Sequence, residues 1–268
     1  WDQLAEHQCT WFNVVPTVIS YLVSSTTPEN QAGKRALDLS RVRFGRSASA
    51  PLPPELHRAF EQKFGFSIIE TFGMTETSAA CFSNPLDKAR RKYGCVGRPV
   101  GNVAKVARRG GSVCLPGEVG ELMVKGDNVM QGYYKDAGET AKALEPDGWL
   151  HTGDLGYIDE EGDYFVAGRL KELIIKGGEN IAPREIDDAL FKHPAVLEAA
   201  AVGIPDRHYG QEILAGVVLK PGMQASEAEL RSFCERELGR YKTPKVFRFL
   251  PELPKGPSGK VQRLKLLD

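Results

Sequence analysis

Between Trp11 and Thr71 the apolar pattern switches repeatedly between strand-like runs and helical spacing, and that alternation commits the chain to an α/β sheet. Trp11 to Val15 is a short apolar strand, and Pro16 opens a segment in which Val18, Ile19, Leu22 and Val23 recur at helical spacing. Val42-Arg43-Phe44-Gly45 reads as a buried strand ending in a glycine. A second helix follows from about Pro54 to Phe64, with Leu56, Phe60 and Phe64 on one face, and Ser67 to Thr71 is the next strand. Strand, helix, strand in this order predicts a parallel sheet.

From Gly94 to Val166 the texture changes to short β segments separated by Gly, Pro and Asp turns, a β-rich subdomain. After Gly168 it changes again. A strand from Leu173 to Ile175, a Gly-Gly turn, a helix opened by Pro183, strands at Val196–Val202, Ile213–Leu219 and Val246–Phe249, and a helix to Leu238 with Ser226 and Glu229 as a capping box make an α+β unit. The boundary is expected near 168–172. With 35 basic and 35 acidic residues, a net charge of 0 and 41% hydrophobic residues, the chain has core material and no electrostatic footprint for nucleic acid. The basic run from Lys88 to Lys92 reads as a solvated loop. Five scattered cysteines without a C-x-x-C pair suggest neither a disulfide framework nor a zinc ribbon and fit a reducing compartment, and no apolar run is long enough for a membrane helix.

Four stretches are denser in Gly, Thr, Asp and Lys than packing requires. Thr71-Phe72-Gly73-Met74-Thr75-Glu76-Thr77 follows a strand at the carboxyl end of the sheet, where open α/β sheets bind ligands. Gly73 would let a ligand approach the backbone, Thr75 would donate to a phosphate, and Glu76 would reach magnesium; a strand-to-helix turn capped by Thr75 or Thr77 explains the same letters. In Gly148 to Gly156, Asp154 between glycines suits either a carboxylate for ribose hydroxyls or a hairpin turn. Gly168-Arg169-Leu170-Lys171-Glu172 lies on the inferred boundary, as a hinge or a solvated linker would. Pro254 to Arg263 is a Gly/Ser loop that either brings Lys260 to a developing oxyanion or is plain surface; its spacing is not that of a Walker A loop. G-x-S-x-G, H-E-x-x-H and G-x-G-x-x-G are absent, and the histidines lack metal-ligand spacing.

In this order the four stretches resemble the adenylate-forming superfamily of acyl-CoA synthetases, firefly luciferases and nonribosomal adenylation domains, over essentially the whole chain. The resemblance implies an ATP-dependent carboxylate–CoA ligase that forms an acyl adenylate and then a thioester, using ATP, Mg2+ and coenzyme A on a small-molecule carboxylic acid, be it fatty, aryl or a small dicarboxylic acid. With the cysteine and charge readings above, the expected place is the cytoplasm and no nucleic-acid partner is expected. Phe72 would stack on adenine beside Gly73, Thr75 would contact the α-phosphate, and Glu76 would hold magnesium. Ser49-Ala50-Pro51 falls where the family lines the adenine pocket, with Ser and Ala in place of its usual glycines. Asp154 matches the ribose carboxylate and Arg169 the arginine that follows it onto the nucleotide. Lys171 falls at the hinge, Lys176-Gly177-Gly178 at the pantetheine tunnel, and Lys260 at the lysine that bridges substrate carboxylate and α-phosphate. Lysine at the hinge position is more like CoA ligases than nonribosomal modules.

The family's Ser/Thr/Gly-rich loop ending in Pro-Lys, which grips the β- and γ-phosphates, is not in this chain; Ser24-Ser25-Thr26-Thr27-Pro28 has neither glycine nor lysine. With Trp1 in place of an initiator Met, the expectation is the C-terminal half of an enzyme. Residues 1–93 would be the distal part of the large parallel α/β domain, 94–168 a barrel-like β subdomain, and 169–268 the small mobile domain. A noncatalytic nucleotide-binding fragment and a module that loads a carrier protein are the alternatives.

Overall fold

The computed structural model describes residues 1–25, 38–257 and 259–268. Thr26, Thr27 and Pro28, compared above with the phosphate loop, and Ser258 of the lysine loop lie outside the described residues. The chain divides into two compact units, Trp1–Val166 and Ala167–Asp268.

In the first unit α1 (Asp2–Glu6), β1 (Trp11–Val14), α2 (Pro16–Ser25), β2 (Phe44–Ser47), α3 (Pro54–Phe64) and β3 (Ser67–Gly73) follow one another, with β1, β2 and β3 as parallel neighbours. Pro54 stands in the first turn of α3 and Gly65, at φ +74°, ends it. Phe60 of α3 packs with Ile19 of α2, Leu52 and Ile68, all fully buried; each such side chain contributes about 1.5–3 kcal/mol. Gly45 does not end its strand. It lies inside β2, where a Cβ would stand 2.5 Å from the Phe12 ring and 2.7 Å from Ile68, so packing rather than a turn requires the glycine.

The sheet is parallel only through β3. β4 (Ala80–Ser83) and β5 (Arg98–Pro99) complete the order β1-β2-β3-β4-β5 and run antiparallel. Residues 74–79 alone join β3 to β4, about half of what a parallel crossover needs, so the chain must fold back on itself. β6 (Val103–Ala107), β7 (Gly120–Lys125), β8 (Leu150–Ile158) and β9 (Tyr164–Arg169) form a second sheet in that open order, with α4 (Ala137–Ala143) preceding β8. Val106, Leu122, Val124 and Tyr164 share one core with Cys81 and Phe82 of β4, which couples the two sheets.

The second unit contains β10 (Ile174–Lys176), β11 (Glu179–Ile181), α5 (Pro183–Phe191), β12 (Val196–Asp206), β13 (Gly210–Leu219), α6 (Glu227–Leu238) and β14 (Val246–Phe249). Its sheet runs β11-β10-β13-β12, with β14 parallel to β13. Ala199, Ala201 and Val217 join Ile186, Leu190 and Leu230 of the helices in one core, whereas Ala200, Val202, Leu214 and Val218 join Leu253 and Leu266 of the C-terminal tail in another. Successive strand residues point to opposite faces, so a sheet covered on both sides reads as unbroken apolar runs. The capping box forms as expected: Ser226 Oγ accepts from the Glu229 N–H at 3.2 Å, and the Glu229 carboxylate accepts from the Ser226 N–H at 2.7 Å. Among the described residues no helix is long and apolar enough to cross a membrane.

Candidate active site

At the carboxyl end of β2 the chain enters Ser49-Ala50-Pro51, and the backbone N–H of the next residue, Leu52, donates to Glu70 Oε1 of β3 at 3.1 Å. Ser49 adopts φ +75°. This left-handed conformation favours glycine and costs an L-residue about 1–2 kcal/mol, so serine here holds a backbone shape that glycine would take without strain. β3 then delivers Phe72, whose ring meets Phe82 edge-on at 5.8 Å. A Cβ at Gly73 would lie 2.3 Å from Ala79 O. The close approach that requires this glycine is therefore made by the chain's own return into β4, a different cause from the ligand contact expected of it.

The turn Thr75–Thr77 divides the two readings of its motif between its two threonines. Thr77 is buried, and its hydroxyl accepts from the Met74 N–H at 3.1 Å while lying 2.9–3.0 Å from the Ala79 and Met74 carbonyls; this residue fastens the turn. Thr75 is exposed, and its hydroxyl makes no side-chain hydrogen bond among the described residues. Glu76 is held from a distant segment: Tyr133 Oη donates to Glu76 Oε1 at 2.9 Å, and the Met130 N–H donates to Glu76 O at 2.8 Å. That hydrogen bond raises the Tyr133 pKa, which keeps the phenol a donor. Asn128 Nδ2 donates to Thr77 O, and Ser78 Oγ donates to Asn128 O. Tyr133 and Asn128 were not among the residues read from sequence, because a contact across 57 or 51 positions leaves no local pattern.

Asp154 is buried within β8, so the hairpin-turn reading does not hold. Gly153, at φ +68°, precedes it, and the pairing with β7 shifts register between Glu121 and Met123, which marks a bulge. Thr152 Oγ1 donates to Leu122 O at 2.7 Å and accepts from the Asp154 N–H at 3.0 Å, locking the bulge. Burial pushes the Cys81 thiol pKa up, and the Asp154 charge adds to the shift. His151 stands between Glu121, 2.9 Å from Nδ1, and Glu145, 3.3 Å from Nε2. In the first unit Ser49–Pro51 and Phe72–Glu76 follow from the neighbouring strands β2 and β3 of one sheet, while Asp154 lies on β8 of the other.

In the second unit Arg169 ends β9 and is exposed, and Lys171 is exposed in the turn Leu170–Glu172. Glu172 is tied to Arg263 at 3.3 Å, and the same guanidinium binds Asp187 and, at 3.1 Å, Ala201 O. Gly177 and Gly178, at φ +54° and +88°, form the two-residue loop between β10 and β11. Lys176 differs from the open loop residue expected. Its side chain is buried, with Nζ 2.9 Å from Glu212 Oε2 and 2.8 Å from Tyr241 O, so the ammonium is turned away from anything passing the Gly-Gly loop. Lys260 is exposed on a short hairpin.

The first unit thus offers an unbonded threonine beside a positioned glutamate in the turn after β3, and a carboxylate locked in a bulge of β8. The chain belongs to the AMP-binding enzyme family: the family model matches residues 1–134, and that of the AMP-binding enzyme C-terminal domain matches residues 185–260. It is 59% identical to the sulfoacetate–CoA ligase of Cupriavidus necator over 100% of this chain and 51% of that protein. It is 37% identical to the oxalate–CoA ligase of Arabidopsis thaliana over 98% of this chain and 50% of that protein. The crystal structure of ATP-bound MatB from Rhodopseudomonas palustris is similar at TM-score 0.89 and 34% identity, over 99% of this chain and 52% of that one. The chain spans about half the length of the relatives it matches.

Proposed function

We propose that this chain carries the nucleotide-handling and thioester-forming parts of an AMP-forming carboxylate–CoA ligase. The observation that carries the reading is the division of labour at Thr75–Thr77: one threonine fastens the turn, and the other leaves its hydroxyl unbonded beside a glutamate that a distant tyrosine orients. The substrate class is a short acid, with sulfoacetate the leading candidate from the 59% identical relative.

In the first half-reaction the substrate carboxylate attacks the α-phosphorus of ATP and pyrophosphate leaves. Thr75 donates to the α-phosphate, Phe72 packs against adenine beside the Ser49–Pro51 loop, Asp154 accepts the ribose hydroxyls, and Arg169 adds positive charge. Glu76 suits a magnesium ion: one carboxylate oxygen is engaged by Tyr133 and the other remains, and Mg2+ is commonly held by one or two carboxylates plus substrate phosphates. When bound, the ion would neutralise phosphate charge. Among the described residues no cluster of three or more ligating side chains competes for it. Lys260 supplies a cation as charge builds on the α-phosphate. In the second half-reaction the CoA thiol attacks the acyl carbon and AMP leaves, with Lys171 as pivot and the Gly177-Gly178 loop beside the pantetheine. Both ATP and CoA are cytosolic metabolites, and the cytoplasm is the compartment we assign.

The test is ATP–pyrophosphate exchange by the full-length protein across short, aryl and long-chain acids; exchange with none overturns the ligase reading. Lys171→Pro is expected to spare exchange while slowing acyl transfer to CoA roughly 10-fold or more, the loss of a conformational step rather than of chemistry. Unchanged transfer would put the pivot elsewhere.

A further inference from the structure

Arg46 lies on β2 three residues before Ser49. Its neighbour Gly45 faces Phe12 and Ile68, in the core that α2 and α3 cover, so the alternation of the strand turns Arg46 to the opposite face. Strand register places it between Asn13 of β1 and Ile69 of β3. Nε donates to Thr71 Oγ1 at 3.0 Å, and that hydroxyl in turn donates to Ser47 O at 3.3 Å. The guanidinium plane is thereby fixed, and its two outer nitrogens have no hydrogen-bond partner among the described residues.

This cation is half-buried and, among the described residues, has no carboxylate partner. Arg91, whose side chain is 6% exposed, shows the usual remedy, pairing with Glu61 at 3.2 Å. The residues sharing the face of Arg46, namely Trp11, Asn13, Phe44, Ile69 and Thr71, carry no charge. A partly desolvated charge is ordinarily paired, and a guanidinium held by one nitrogen presents a ready fork for a planar oxyanion. Thr71 is four residues before Thr75, at most about 13 Å of extended chain, so the fork is held by the strand that leads directly into the turn that would handle the α-phosphate.

We propose that Arg46 sets substrate specificity by binding a second oxyanion, carboxylate or sulfonate, at the far end of a short acid whose first carboxylate is activated. The inference rests on the ligase reading and names the charge class of its substrate.

The experiment compares wild type, Arg46→Gln and Arg46→Lys in the full-length protein, by ATP–pyrophosphate exchange with sulfoacetate, malonate, acetate and propionate. The wild type is expected to prefer the doubly charged acids. In Arg46→Gln the ratio of kcat/KM for doubly over singly charged acids falls about 10- to 100-fold, the loss expected of hydrogen bonds to a charged group, and it falls through KM. Arg46→Lys, which keeps the charge without the fork, recovers part of the ratio. The better of sulfoacetate and malonate identifies the oxyanion, and either supports the assignment. An unchanged ratio, or equal losses for both acid classes, reduces Arg46 to a strut between β2 and β3. A wild type that prefers acetate or propionate overturns the assignment and leaves the ligase reading standing. A wild type that exchanges with no acid overturns both.

Discussion

Replacing Lys260 with alanine is expected to lower ATP–pyrophosphate exchange roughly 100- to 1000-fold, the usual loss when one electrostatic stabiliser of a transition state is removed, and to leave thioesterification of supplied acyl adenylate nearly intact. The structure makes this a clean deletion. The hairpin is fastened by the Gly256 N–H donating to Lys260 O at 2.9 Å and the Gln262 N–H donating to Pro254 O at 2.8 Å, both through backbone. Leu253 and Leu266, buried on either side, anchor its base. Truncating an exposed side chain in such a frame removes charge and little else. Lys255 is the internal control, because its ammonium is engaged by Glu198 at 2.7 Å, and Lys255→Ala should affect exchange far less. Equal loss in both half-reactions for Lys260→Ala would falsify an adenylation-specific role.

Replacing Lys176 with methionine is expected to destabilise the second unit by about 3–5 kcal/mol, the cost of leaving one member of a buried ion pair without its partner. Lys176 and Glu212 are 6% and 5% exposed, so solvent screens the pair weakly. The ammonium also sits 5.0 Å from the Tyr241 ring centroid and 5.5 Å from that of Tyr209. Methionine keeps the stem's packing while deleting the charge, which strands the Glu212 carboxylate. The measurement is denaturant unfolding of the whole chain, read on the transition of the second unit. The double variant Lys176→Met with Glu212→Leu should recover most of the loss, because two apolar groups can replace a buried pair. A double variant as unstable as the single one would assign the loss to packing. Tyr241 Oη donates to Lys176 O, and the Gly177 N–H donates to Tyr209 O at 2.8 Å, so the single variant should also loosen the Gly-Gly loop and slow transfer to CoA.

What the sequence determined by itself is what short-range physics governs. Pro54 and Pro183 start helices because a missing N–H costs nothing in a first turn, Ser226 and Glu229 cap one because their groups lie three residues apart, and Gly177-Gly178 turns a hairpin because both residues take positive φ. The spacing of apolar residues delivered the β1-α2-β2-α3-β3 succession, and the motifs in register pointed to the family. Tertiary structure alone decided the rest. That β4 returns antiparallel, that Gly45 and Gly73 answer to neighbouring strands, and that Asp154 sits in a bulge follow from pairings the local letters do not specify. The orientation of Glu76 by Tyr133, the withdrawal of Lys176 onto Glu212 and the seat of Arg46 on Thr71 join residues 57, 36 and 25 positions apart. Each depends on two strands or loops meeting in register, and a single hydrogen bond between distant side chains imposes no periodicity on the sequence between them.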